Sequence, residues 1–223
     1  MLQGSSVSVA ANSVTLDGDL SIPGAAIGIV LFAHGSGSGR HSPRNRYVAQ
    51  TLREHGLATL LIDLLTPSEE KLDLRTGHLR FDIALLAERL VGASDWLAQN
   101  PDTQRLSLGY FGASTGAGAA LVAAAQRPDR VGAVVSRGGR PDLAGPALAG
   151  VHAPTLLIVG GDDVPVIEMN REALGQLRSK KKLEIIPGAT HLFEEPGALE
   201  EVARLASEWF EQHLNAFDER RIV

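Results

Sequence analysis

The chain has 223 residues, 44% hydrophobic and 21% charged, so it is long enough for a full buried core and has the composition of an ordinary globular protein. Its formal net charge of −5 argues against a nucleic-acid partner, because a phosphate backbone is bound by a surplus of positive charge. It contains no cysteine, which excludes disulfides, thiolate metal sites and a cysteine nucleophile.

The first residues show no targeting pattern. They lack a basic flank and an apolar stretch of signal length, and the longest apolar run, residues 27–33, is too short to span a bilayer. We therefore expect a cytoplasmic protein with no membrane partner. No repeat or shift in composition divides the chain, so residues 1–223 are expected to form a single domain, and a homodimer is left open.

Short apolar runs alternate with segments of helical period, which is typical of a mostly parallel, doubly wound α/β sheet with helices on both faces. A polar-alternating segment, residues 13–22 around Asp17-Gly18, predicts an antiparallel hairpin at the sheet edge. The other elements are predicted, in chain order, as strand 27–33, helix 45–55, strand 58–63, helix 81–100, strand 106–111, helix 117–126, strands 131–136 and 155–160, helix 165–178, strand 183–186 and helix 196–217.

The sequence Gly112-Ala113-Ser114-Thr115-Gly116 lies between a predicted strand and a predicted helix. A serine on so sharp a turn needs small neighbours, because strand and helix must approach closely. The turn would lift the Ser114 hydroxyl above the carboxyl edge of the sheet and direct helix amides towards it, which suits an oxyanion. Ser114 is therefore a candidate nucleophile; the alternative is an ordinary tight turn.

A serine nucleophile requires a histidine base and a carboxylate that orients this base. Three of the seven histidines follow Ser114. His152 precedes a strand, which places it at the opposite edge of the sheet, and His213 lies within the last helix. His191 follows strand 183–186 at the same edge as Ser114 and is the predicted base.

The acid is expected after the strand that ends at Gly160, where Asp162 and Asp163 stand side by side. Asp163 is preferred because it lies past the turn and leads into the next helix, whereas Asp162 suits the turn itself. Asp142, after the preceding strand, is a more distant candidate.

These motifs give the chain a resemblance to the α/β-hydrolase superfamily and, within it, to the dienelactone hydrolase-like group. The resemblance rests on Gly112 to Gly116 and on three loop sequences, His34-Gly35-Ser36-Gly37, Gly160-Gly161-Asp162-Asp163 and Gly188-Ala189-Thr190-His191. It implies an α/β-hydrolase fold with an oxyanion hole formed by the backbone amides of Ser36 and Thr115. Dienelactone hydrolases proper use a cysteine nucleophile, so a serine esterase is the function expected here. Relatives of this type also occur fused to a phosphoribosyltransferase-like domain, which we do not expect in this chain.

The predicted site lacks a substantial lid, because only 18 residues separate Ser136 from Thr155. Together with an aromatic content of 4%, this favours short acyl esters over lipids. Arg40, Arg137 and Arg140 follow strands at the same edge and are predicted to bind an anionic part of the substrate. The alternative is that they form structural pairs with acids such as Asp63.

Other function classes fit less well. Glycines from Gly35 to Gly39 imitate a dinucleotide-binding loop, but the third glycine of either register is replaced, by Arg40 or Ser42. No metal or other cofactor is predicted, since His34 and His41 lack ligand partners at suitable spacing. We predict a serine hydrolase that cleaves small soluble carboxylic esters. A dienelactone, lactone or thioester hydrolase that acts on an anionic substrate, and a catalytically silent binding module, remain alternatives.

Overall fold

A computed structural model describes residues 4–219 of the chain, with side chains described as far as residue 215. Within that part of the chain, eight strands form one sheet in the order β1-β2-β4-β3-β5-β6-β7-β8. The strands are β1 Ser5–Ala11, β2 Val14–Ser21, β3 Gly28–Ala33, β4 Leu57–Ile62, β5 Leu108–Ala113, β6 Val131–Arg137, β7 Thr155–Gly160 and β8 Lys181–Ile186. The α-helices are α1 Pro43–Glu54, α2 Pro67–Thr76, α3 Ile83–Gln99, α4 Thr115–Gln126, α5 Val164–Gln176 and α6 Ala198–Glu219.

The predicted doubly wound sheet is confirmed. β3 to β8 run parallel, and β1 and β2 add an antiparallel edge. β3 to β7 are buried along their whole length, because helices cover both faces of the sheet. Residues of α3 and α4 pack in one core cluster, and residues of α1 and α6 pack in the other.

The edge hairpin exists, but the prediction of its turn at Asp17-Gly18 is wrong. β1 pairs with β2 from Ser5 opposite Leu20 to Ala11 opposite Val14, and the chain reverses at Asn12 and Ser13. Asn12 adopts a left-handed φ of 54°, a conformation that asparagine tolerates well. Gly18 lies inside β2, opposite Ile62 of β4, so the Asp-Gly pair belongs to a strand.

Two short elements between β4 and α3 were not predicted. Helix α2 begins after Thr66, whose side chain accepts from the Glu69 amide, while the Glu69 side chain accepts from the Thr66 amide. This capping box, with Pro67 in the first turn, fixes where the helix starts. A 3-10 turn, Leu79–Phe81, then leads into α3.

The candidate site follows from the strand order. The chain moves from β3 to β4 on one side and to β5 on the other, so the strand order reverses between β3 and β5. In open α/β sheets such a reversal leaves a crevice at the carboxyl ends of the strands. The loops after β3 and β5, which begin at His34 and Ser114, face each other across this crevice.

The connection between β6 and β7 forms no lid. It contains 3-10 turns over Pro141–Gly150, and these pack against α4, where a Cβ added at Gly118 would lie 2.9 Å from the Arg140 carbonyl oxygen. Across residues 4–219 no helix is long and apolar enough to cross a membrane.

Candidate active site

Ser114 occupies a strained turn between β5 and α4. Its φ of 50° and ψ of −123° lie outside the regions that ordinary residues prefer. The glycines on either side make this turn sterically feasible: a Cβ at Gly112 would lie 2.4 Å from the Ala117 Cα, and one at Gly116 would lie 2.3 Å from the Ala33 carbonyl oxygen. The Ser114 side chain is partly exposed although its neighbours are buried, so the turn presents a hydroxyl at the edge of the sheet.

His191 and Asp163 are brought together. The Nδ1 atom of His191 lies 2.6 Å from Oδ2 of Asp163, so the carboxylate accepts a hydrogen bond from Nδ1–H and fixes the tautomer. Asp163 stands at the N-cap of α5, yet its side chain does not cap that helix. The Asp163 carboxylate is therefore directed at the loop after β8 that carries His191, which we call the histidine loop, rather than at the helix.

The histidine loop packs tightly on the end of β7. A Cβ at Gly160 would lie 2.3 Å from the Ala189 carbonyl oxygen, so only glycine permits this approach. The Asp162 amide donates to the same carbonyl oxygen at 3.0 Å, while the Asp162 side chain points into solvent. Of the two adjacent aspartates, Asp163 is the one whose carboxylate contacts His191.

The loops that carry Ser114 and His191 meet at Gly138. A Cβ at this position would lie 3.6 Å from Cε1 of His191. The carbonyl oxygen of the preceding residue, Arg137, accepts a hydrogen bond from the Ser114 amide at 3.3 Å. The imidazole thus lies close to the strand end that supports the Ser114 backbone.

The expected oxyanion amide at Ser36 already has a partner. It donates to Oγ1 of Thr115 at 3.0 Å, which joins the loops after β3 and β5. The carbonyl side of the same Gly35–Ser36 peptide is held by His34, whose Nδ1 contacts the Gly35 carbonyl oxygen at 2.9 Å and whose Nε2 accepts from the Leu64 amide at 3.0 Å. Burial lowers the pKa of His34, which favours the neutral ring that this pair of bonds requires.

A cavity opens beside this loop. A Cβ at Gly35, one of its lining residues, would lie 3.0 Å from Cβ of Ser114, so the cavity is adjacent to the serine, although Ser114 and His191 are not themselves in its lining. Its lining combines the loop after β3, residues 34–38, with an apolar and acidic wall from residues 63–86. We call the first the oxyanion loop, after the amide expected at Ser36, and the second the cavity wall. The wall contributes Asp63, Leu65, Glu70, Asp73, Leu74, Arg80 and Leu86.

The three arginines predicted to bind substrate have other partners. Arg40 pairs with Asp63 through its side chain and through its amide, the latter at 2.7 Å. Arg140 forms a two-pronged pair with Asp142 at 2.8 and 2.9 Å. Asp142, the distant candidate for the acid, is therefore occupied, and none of the three guanidinium groups is in the described lining of the cavity.

Arg137 is almost fully buried, with 6% of its surface exposed. It donates to Oδ1 of Asn45 at 3.3 Å and lies 5.8 Å from the ring centre of Phe193. Burial, with repulsion from Arg44 as a smaller contribution, lowers its pKa to about 10. Its position under the histidine loop makes it a packing residue of that loop.

Two parts of the site were missed by sequence reasoning. One is the cavity wall, where the Asp73 carboxylate accepts from the Leu79 amide at 2.7 Å and from Nε of Arg80 at 2.5 Å. The capping box at Thr66 and Glu69 was the available signal for its helix. The other is the hydroxyl of Thr115, which was considered only for its backbone amide. Within residues 4–219 no group of three or more His, Asp or Glu side chains could hold a metal ion.

Comparison with known proteins identifies a hydrolase family and solved structures of the same fold. The model of the dienelactone hydrolase family matches residues 26–220. A crystal structure of a dienelactone hydrolase from Anabaena variabilis superposes with a TM-score of 0.94 at 70% sequence identity, covering 95% of this chain and 98% of that chain. Est1E from Butyrivibrio proteoclasticus shares the fold, with a TM-score of 0.75 at 18% identity over 94% of this chain and 98% of that one.

A Mycobacterium tuberculosis protein that is provisionally named a phosphoribosyl transferase is 59% identical over 213 residues. The match covers 96% of this chain but 47% of the relative, so the chain spans about half the length of that protein.

Proposed function

The chain belongs to the dienelactone hydrolase family, and we propose that it is a serine hydrolase that cleaves small soluble carboxylic esters through Ser114, His191 and Asp163. The observation that carries the proposal is the 2.6 Å contact between His191 and Asp163, close to the strand end that supports the strained Ser114 turn. Acyl transfer to serine requires a histidine oriented by a carboxylate and a serine presented on such a turn, and both features lie at this edge of the sheet.

In the proposed reaction, Ser114 Oγ attacks the acyl carbon while its proton moves to Nε2 of His191. Asp163 keeps Nδ1 protonated and stabilises the imidazolium that forms. The carbonyl electrons move to oxygen, which accepts from the backbone amide of Thr115 at the start of α4, while the Ser36 amide stays bonded to Thr115 Oγ1. Collapse of this intermediate expels the alkoxide, which takes the proton from His191. Water then attacks the acyl-enzyme while His191 accepts a proton from it, and Ser114 Oγ leaves with that proton as the acid is released.

The surroundings favour a small, uncharged ester. The connection after β6 packs on α4 and leaves the site open, so long acyl chains find little apolar cover. Arg40 and Arg140 are paired with aspartates, and the cavity wall contributes more carboxylates than guanidinium groups. An anionic substrate would meet repulsion there rather than a receptive cation.

Lactone hydrolysis is the second candidate, because the Anabaena variabilis neighbour, 70% identical, is described as a dienelactone hydrolase. A lactone is an internal ester and would be opened by the same steps. The transferase name belongs to a relative about twice as long, whereas the family matched on this chain is a hydrolase family. The reaction class is therefore taken from the hydrolase family.

The decisive experiment measures hydrolysis of p-nitrophenyl esters from acetate to octanoate, and of a dienelactone, by the wild type, Ser114→Ala and Ser68→Ala. Ser68 is an exposed serine on α2 and serves as the matched control. We expect activity to peak at acetate or butyrate, to persist in the control and to vanish in Ser114→Ala. A fluorophosphonate should label Ser114, as identified by peptide mass spectrometry. Lack of both turnover and label would refute the proposal, and preference for the dienelactone would establish the second candidate.

A further inference from the structure

The Thr115 hydroxyl occupies the place where an oxyanion would accept from Ser36. The Ser36 amide donates to Thr115 Oγ1 at 3.0 Å, an ordinary distance for a good hydrogen bond. This bond crosses the crevice between the loops after β3 and β5. A hydroxyl oxygen therefore takes the hydrogen bond of the Ser36 amide, one of the two backbone donors that this site type uses.

The hydroxyl hydrogen of Thr115 has no acceptor among the described residues. A threonine hydroxyl has one donor and two acceptor sites, and the bond from Ser36 uses an acceptor site. In the described part of the chain no acceptor receives the Thr115 O–H. Thr115 is 4% exposed and lines the cavity, so the side chain is held by packing while the hydrogen still turns about the Cβ–Oγ1 bond. It can donate into the cavity without movement of the side chain.

Hydrogen bonds to the Gly35 carbonyl oxygen hold the Ser36 amide in place, because both belong to one peptide group. The Gly35 carbonyl oxygen contacts Nδ1 of His34 at 2.9 Å and accepts from the Ser38 amide at 3.2 Å. Nε2 of His34 in turn accepts from the Leu64 amide at 3.0 Å. Bonds that run in one direction through a peptide polarise one another, so this chain strengthens the Thr115 hydroxyl as a donor at its end.

We propose that the side chain of Thr115 is a donor of the oxyanion hole, with its hydroxyl oriented by the Ser36 amide and placed beside the Thr115 backbone amide. This inference rests on the proposed serine hydrolase function. As Ser114 Oγ bonds to the acyl carbon, the carbonyl electrons move to oxygen, and Thr115 O–H donates a hydrogen bond to it without losing its proton. The Ser114 proton goes to His191. A donor already held in place stabilises the charge with no reorganisation at the moment of reaction.

Three substitutions test this role. Thr115→Ser keeps the hydroxyl and should stay within about fivefold of the wild-type kcat. Thr115→Val replaces the hydroxyl with a methyl group that also blocks the Ser36 amide, and it should lower kcat about 100-fold with KM changed less than about threefold. Thr115→Ala leaves that amide free to reach the oxyanion, so its loss should be smaller, about tenfold.

Affinity for an alkyl boronic acid separates catalysis from packing. The boronate forms a tetrahedral adduct with serine, so its inhibition constant should rise in parallel with the loss of kcat/KM in Thr115→Val. Thr155→Val is the matched control: Thr155 is also buried, donates to the Ala153 carbonyl oxygen at 2.9 Å and begins β7 at the opposite edge of the sheet. It should leave kcat and boronate affinity unchanged.

The outcomes are distinct. If Thr115→Ala turns over faster than the wild type, the hydroxyl blocks the oxyanion hole and the proposal is wrong. Equal losses in Thr115→Val and Thr155→Val would also overturn it, since a buried hydroxyl anywhere would then have the same effect. A wild type that neither hydrolyses esters nor reacts with a fluorophosphonate would refute the serine hydrolase function, and the role of Thr115 would be refuted with it.

Discussion

The Ser114 turn and the cavity wall lie on either side of the oxyanion loop and are built by different means. The turn is fixed by the backbone: Ser114 has an imposed left-handed φ, and Gly112 and Gly116 leave no room for a side chain. The cavity wall is held by side chains, with Asp73 on Arg80 and Glu69 on Arg89. We therefore expect the turn to hold the Ser114 hydroxyl in one position. We expect the cavity wall to tolerate changes in a few side-chain contacts.

Exposure follows the same division. The residues that flank Ser114 are buried, whereas Leu74 in the cavity wall is 73% exposed. Changes at the turn and its partners should therefore affect the reaction or the fold strongly. Changes in the cavity wall should affect only the choice of substrate. Four substitutions test this contrast.

The largest effect is expected at Asp163. Asp163→Asn keeps the shape but no longer favours the His191 tautomer that accepts the serine proton, so kcat should fall about 10⁴-fold. Asp162→Asn is the control, because the Asp162 side chain is exposed and should matter little. Steady-state kinetics on p-nitrophenyl acetate compares the two. Similar losses in both variants would show that the contact with His191 is not what matters.

The next largest effect concerns stability. In Gly116→Ala the added methyl would lie 2.3 and 2.4 Å from the carbonyl oxygens of Ala33 and His34, so α4 must move away from β3. We expect a loss of about 3 kcal/mol in the free energy of unfolding, measured by urea denaturation. Gly175→Ala, in α5 with open space around its Cα, should instead stabilise the protein by up to about 1 kcal/mol. A small loss in Gly116→Ala would contradict the rigidity of the turn.

The turn could be predicted from the sequence because its causes are local. Small residues around Ser114, and aspartate and histidine after the next strands of the sheet, are visible along the chain. The contact of Thr115 Oγ1 with the Ser36 amide joins residues 79 apart, and no local pattern signals it. The choice between a substrate role and a structural role for Arg40 likewise could not be made from local sequence. Its pairing with Asp63 depends on how β2, β4 and the oxyanion loop come together.

The cavity wall could not be predicted for a different reason. Helix α2 exposes Leu72 and Leu74 and buries Asp73, which reverses the usual amphipathic pattern. The capping box of Thr66 and Glu69 nevertheless marks the start of α2. Capping residues therefore predict this helix better than the period of its hydrophobic residues does. Asp17-Gly18 shows the opposite case, in which a turn was predicted where the structure has a strand. The pairing of β2 with β4 overrides the local turn preference of this dipeptide.

His34 links the two regions and should make stability depend on pH. Its pKa is lowered from 6.5 in the fold, mainly by burial, so the unfolded chain binds the proton more readily. The free energy of unfolding should therefore fall as the pH drops below about 6.5, by at most about 1.4 kcal/mol per pH unit for this one group. Urea denaturation at pH 7.5, 6.5 and 5.5 should give a shallower slope for His34→Asn than for the wild type. Identical slopes would mean that the ring does not have to be neutral in the fold.

The smallest effect is expected at Leu74, where the contrast is most specific. This side chain is 73% exposed, so Leu74→Ala should change the free energy of unfolding by less than about 0.5 kcal/mol. Leu74 nevertheless lines the cavity, and an acyl chain that reached it would bury methylene groups worth about 0.8 kcal/mol each. We expect Leu74→Ala to remove the burial of one methylene group, which lowers kcat/KM for butyrate relative to acetate about fourfold. Leu72→Ala, on the same helix but outside the described cavity lining, should leave that ratio unchanged. If both leucine variants keep the wild-type ratio, the acyl chain lies elsewhere along the crevice, and the cavity wall does not select the substrate.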